Sequence, residues 1–93
     1  MSDRILIEIA KQIGDKRSEG VFLGNLGNVY KYLGQYENAI AHYKSSIEIA
    51  TQIGDKKNEG IQLGNVGLLY QNLGQYENAI SYFKEAIEIA KEI

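Results

Sequence analysis

The eight residues Leu33-Gly34-Gln35-Tyr36-Glu37-Asn38-Ala39-Ile40 recur without a change at positions 73–80. The correspondence runs well past this block: aligning 11–50 with 51–90 gives 25 identical pairs out of 40. All ten glycines fall into five pairs at the same spacing, 14/54, 20/60, 24/64, 27/67 and 34/74. A repeat of this length marks a supersecondary unit that buries its apolar face only by stacking on a neighbour. The opening residues, ending Ile7-Glu8-Ile9-Ala10, match the close of each repeat at 47–50 and 87–90. The chain therefore reads as one domain over 1–93: a trailing helix (1–13), a first full unit (14–53) and a second (54–93).

Within each unit the apolar residues step at helical intervals. Leu23, Leu26, Tyr30 and Leu33 form one stripe, echoed by Leu63, Val66, Tyr70 and Leu73. Tyr36, Ala39, Ile40, Tyr43, Ile47 and Ala50 form another, echoed by Tyr76, Ala79, Ile80, Phe83, Ile87 and Ala90. Such spacings line one face of a helix and do not alternate as a strand would. Gly34 and Gly74 stand where a left-handed residue can close a helix, while Gly14-Asp15 and Gly54-Asp55 join such a stop to an N-cap carboxylate. No proline interrupts the pattern. The sequence predicts five helices, near 2–13, 16–33, 36–53, 56–73 and 76–92. Turns this short make neighbours pack antiparallel, giving an all-α, right-handed solenoid of helix pairs.

These stripes place Tyr30, Tyr36, Tyr70 and Tyr76 in the core. Gly20, Gly24 and Gly27 and their counterparts lie inside helices, where each costs roughly 0.5–1 kcal/mol relative to alanine. Gly27 and Gly67 are expected to let a neighbouring helix come close. Gly24 and Gly64 are expected to leave bare backbone as the floor of a groove.

Leu23, Leu26, Gly27, Tyr30, Gly34, Tyr36, Ala39, Tyr43 and Ile47 resemble the signature of the tetratricopeptide repeat. Leu63, Val66, Gly67, Tyr70, Gly74, Tyr76, Ala79, Phe83, Ala86 and Ile87 carry it more completely. The period departs from the usual 34 residues, Thr51 and Lys91 stand where a proline commonly closes the unit, and Ser46 replaces a small alanine, a mild change. The blocks Leu23-Gly-Asn-Leu-Gly-Asn28 and Leu63-Gly-Asn-Val-Gly67 are similar to the long repeats of Pins-type G-protein-signalling modulators and of many bacterial and archaeal multi-repeat proteins.

Composition narrows the function. A hydrophobic fraction of 44 % and a charged fraction of 24 % suit an ordinary folded chain. Ten Lys and Arg against twelve Asp and Glu leave a net charge of -2, without the basic excess that nucleic-acid binding draws on. No nucleic-acid or membrane partner is expected, since no apolar run approaches the ~20 residues of a membrane span. The start lacks the order of a secretory signal, and the absence of cysteine suits a reducing, cytoplasmic setting. The one histidine, His42, reads as a surface or partly covered ring, and Glu37, Glu48, Glu77, Glu85 and Glu88 as solvated helix charges. No catalytic, cofactor-binding or metal site is expected, and the chain is not read as an enzyme.

Binding has more support. In stacked helix pairs the first helix of each unit lines the concave side. Off the core stripe it presents Asn25, Asn28, Lys31 and Tyr32, then Asn65, Leu68, Gln71 and Asn72. The resemblance implies that Asn25 and Asn65 hold the backbone of an extended peptide; the alternative is that each amide bonds only its own helix neighbours or water. Arg17 and Lys57 are candidate contacts to an acidic partner, with solvated surface charge as the alternative. The competing function is self-association. Phe83, Ile87 and Ala90 repeat the set that in the first unit meets the next, so the end helices are expected to be open to a homo-oligomer.

Overall fold

The computed structural model describes residues 3–93; Met1 and Ser2, and with them the expected helix start at residue 2, lie outside the described residues. Five helices follow in order among these residues: α1 (Asp3–Ile13), α2 (Lys16–Tyr32), α3 (Tyr36–Ile53), α4 (Lys56–Asn72) and α5 (Tyr76–Lys91). Each lies within a residue of its expected bounds. No strand occurs among the described residues.

The turns explain why the helices stop there. Gly34 adopts φ 75°, as do Gly14, Gly54 and Gly74 within a few degrees, a left-handed geometry that side chains resist. Around Gly34 the amide of Gln35 donates to Tyr30 O at 2.9 Å and that of Gly34 to Lys31 O at 3.0 Å, which satisfies the last carbonyls of α2. Asp15 then starts α2: its carboxylate accepts from the Ser18 backbone N–H at 3.0 Å and from the Ser18 hydroxyl at 2.6 Å. Asp55 repeats the cap on Asn58 N at 3.3 Å.

The hydrogen bonds from the Ser18 side chain and backbone hold the Asp15 carboxyl below the ordinary aspartate value. A depressed folded pKa contributes stability that is fully present above the unfolded value, roughly pH 4, and is lost as the pH falls through the folded one. Thermal unfolding is therefore expected to show a flat plateau on the neutral side and a fall in acid. Asp15→Asn, which can still cap but not titrate, is expected to flatten that fall; an unchanged acid slope would refute the contribution.

Sequential helices pack on one another, and the α2 and α4 backbones also approach closely, whereas those of α1 and α3, and of α3 and α5, do not. The helices thus form two layers within a slab of 38 × 33 × 13 Å. α2 and α4 are neighbours within one layer. The core sits where α3 and α4 meet: Ala39, Ile40, Tyr43, Val66 and Leu69 are buried together, with Tyr30, Tyr36, Ile47 and Tyr70 packed half-buried against them.

One core assignment fails. Tyr76 is 64 % exposed, and Ile80 and Ile87 are exposed with it, although their counterparts Tyr36, Ile40 and Ile47 are covered. The sequence repeats but the surroundings do not: α4 lies on α3, and among the described residues nothing lies on the same face of α5. Leu33 and Leu73, the last residues of their stripes, are exposed at the helix ends.

Candidate functional site

Along α2 the residues Arg17, Val21, Asn25, Asn28 and Tyr32 step by three or four and share one face; Lys57, Ile61, Asn65, Leu68 and Asn72 do the same on α4. Arg17, Val21, Asn25 and Tyr32 are exposed, as are Lys57, Ile61, Leu68 and Asn72. Between the two stripes lies a cleft of about 310 Å³ lined by Arg17, Val21, Asp55, Lys57, Asn58 and Ile61. Val21 and Ile61 were not among the expected contacts. The signal was present, since a β-branched apolar residue recurs one turn before both Asn25 and Asn65.

The expected residues do not play equal parts. Asn25 is exposed, whereas Asn65 is half-buried and donates through Nδ2 to Gln62 Oε1 at 3.0 Å. Asn28 accepts a short hydrogen bond from the Tyr43 hydroxyl, so its carbonyl is engaged by the core. Burial pushes the Tyr43 phenol above the ordinary tyrosine value, with the nearby Tyr32 adding to it, which keeps this donor neutral. In the second repeat Phe83 lacks the hydroxyl and the facing position holds Leu68, so donor and acceptor are lost together. Lys31 and Tyr32 form a local pair, the Lys31 ammonium 5.3 Å from the ring centre of Tyr32, which is 84 % exposed. Gln71 and Asn72 are exposed near the end of α4.

The charges at the mouth also differ. Arg17 Nη1 lies 2.7 Å from Asp55 Oδ2, tying the start of α2 to the turn before α4. Lys57 has no ion-pair partner among the described residues, so its charge is the less compensated of the two expected contacts. His42 is half-covered, its ring 4.9 Å from that of Tyr30 and its Nδ1 2.7 Å from Asn38 O.

Two expectations are corrected by the packing of α2, α3 and α4 on one another. Gly24 does not form a bare groove floor: it is buried beneath Gln62, whose amide fills the space a Cβ would take. Gly64 is open, with nothing within 4 Å of such a Cβ. Ser46 is no mild change either. It is fully buried, donates to Gly20 O at 2.6 Å and accepts from Asn58 Nδ2 at 3.2 Å. Asn58 Oδ1 in turn accepts from Gln62 Nε2 at 3.1 Å. Four linked hydrogen bonds thus run from the α2 backbone to the Asn65 amide.

Paired helices stacked in two layers define an α-solenoid repeat protein. The family model described as "Tetratricopeptide repeat" matches residues 8–92, and the chain belongs to that family. None of the curated proteins matches the chain. Tetratricopeptide repeats are in general protein–protein interaction modules and non-enzymatic scaffolds. No helix among the described residues is long and apolar enough to cross a membrane.

Proposed function

We propose that this chain binds a peptide segment of a protein partner along the two stripes on α2 and α4. The supporting observation is the pair of matched stripes, in which an exposed aliphatic residue lies one turn from an asparagine, Val21 with Asn25 and Ile61 with Asn65. An apolar step gives affinity through burial, at about 25 cal/mol per Å² removed from water. An amide offers both a donor and an acceptor, so it reads peptide backbone without demanding a particular side chain. Lys57, at the mouth, favours an acidic residue on the partner.

A peptide selected from a random-sequence library on the wild-type protein provides the test. Replacing Asn25 and Asn65 together by alanine is expected to weaken its binding by at least ~1 kcal/mol, about fivefold or more. Unaltered affinity in a folded double variant would remove both asparagines from the site.

Self-association is the second reading, favoured by the apolar residues Tyr76, Ile80 and Ile87 exposed along α5. A molecular mass that rises with concentration in light scattering would support it. A monomer throughout the range would dismiss it.

A further inference from the structure

The hydrogen bonds that end at Asn65 have a fixed direction. It can be read from their far end, because the Gly20 carbonyl can only accept. Ser46 must therefore donate to it, leaving the Ser46 oxygen as the acceptor for Asn58. Asn58 then presents Nδ2 to Ser46 and Oδ1 to Gln62, which presents Nε2 to Asn58 and Oε1 to Asn65. Asn65 must donate through Nδ2, and its Oδ1 is the group left over. Reversing Asn58 or Gln62 alone sets like groups against each other at two joints, and reversing Asn65 sets its oxygen against that of Gln62. Gln62 is buried, so such a mismatch has no water to relieve it.

Among the described residues nothing comparable holds Asn25. One repeat earlier, the positions of Ser46, Asn58 and Gln62 are occupied by Leu6, Ser18 and Phe22, which cannot form the chain of amides. The two asparagines share a repeat position but not an environment. Asn25 is exposed, and Asn65 is held.

We infer that Ser46, Asn58 and Gln62 are positioning residues that fix the Asn65 amide with its carbonyl oxygen free toward the groove, so that a bound segment must offer a backbone N–H there and a proline at that point is rejected. This rests on the peptide-binding reading, and it adds to it a direction and a selectivity that the residue type alone does not supply. Ser46→Ala removes the anchor. Asn58, Gln62 and Asn65 can then reverse in concert, because the three amides satisfy one another in either sense once no hydroxyl fixes the first.

The experiment has two arms on the full chain. In the first, {1H}–15N NOE values of the side-chain NH2 groups compare Asn65 with Asn25. Asn65 is expected to be as rigid as the backbone and Asn25 mobile, with Asn65 loosened in Ser46→Ala. Asn58→Ser, the residue found at position 18, serves as a second variant. In the second arm, single N-methyl substitutions are walked along the library-selected peptide. One position is expected to lose about tenfold in affinity on the wild type, and less than about threefold on Ser46→Ala, while the other positions keep their profile. An Asn65 amide as mobile as that of Asn25 would overturn the positioning role, and so would an N-methyl profile unchanged by Ser46→Ala. If no selected peptide contacts α2 and α4, the binding reading and the selectivity fall together; the NH2 measurement then still decides whether the relay holds Asn65.

Discussion

Tyr43→Ala is expected to remove about 3–5 kcal/mol of stability, the range for deleting a buried aromatic ring. Tyr43 has no exposed surface, and it joins three helices. Its ring lies on Gly27 of α2 and in the cluster with Val66 and Leu69 of α4, while its hydroxyl reaches Asn28. A domain with a total stability of about 5–15 kcal/mol loses a large share of it through that one change. Its counterpart Phe83 also lies on a glycine, Gly67, but it is only half-buried on the uncovered face of α5. Phe83→Ala is expected to cost less than half as much. Urea denaturation of the two variants measures the difference, and equal losses would show that stacking α4 on α3 contributes little. Tyr43→Phe should cost only about 1 kcal/mol, for the hydrogen bond it removes. Adding Asn28→Leu should restore part of that, since it recreates the Phe83 and Leu68 pairing and leaves no amide without its donor.

That comparison separates what the sequence carried from what it could not. Helix positions were legible because their causes are local: the spacing of the apolar residues, the Gly-Asp stops and the absence of proline all act within a few residues. Coverage was not. Tyr36 and Tyr76 are the same residue in the same octapeptide, and only the presence of α4 over one of them decides which is covered. The site divides in the same way. Asn25 and Asn65 announced themselves by recurring, and Val21 and Ile61 carried the same signal. The relay to Asn65 did not recur, because it is assembled from residues that differ between the repeats. Ser46 lies on α3, and Asn58 and Gln62 on α4. Polar residues scattered over 20 positions say nothing of a shared path until two helices have docked.

The glycines make the docking itself testable, because the same change to alanine meets a different neighbour at each position. A Cβ on Gly27 would lie 2.6 Å from Tyr43 Cδ1 and 2.7 Å from Cε1, against a ring that is fully buried and has no room to withdraw. Overpacking of this kind costs about 1–3 kcal/mol and occasionally more, while the helix gains about 1 kcal/mol from alanine. With two sub-3 Å contacts on a rigid ring, the upper end applies, and Gly27→Ala is expected to lose about 2 kcal/mol net. The thermal midpoint should fall by roughly 8–16 °C, at about 4–8 °C per kcal/mol for a chain of this size. Gly64→Ala meets nothing within 4 Å and should gain about 0.5–1 kcal/mol instead, since the helical φ suits alanine and the unfolded chain loses freedom. Gly24→Ala occupies the same repeat position as Gly64 yet would drive a methyl into the Gln62 amide, its Cδ only 2.9 Å away. Gln62 can withdraw only by giving up its bonds to Asn58 and Asn65, so the change should stabilise less than Gly64→Ala and cut the path to Asn65. Were Gly24→Ala as stabilising as Gly64→Ala, Gln62 would not be seated over α2. The directed hydrogen bonds could not then reach the groove.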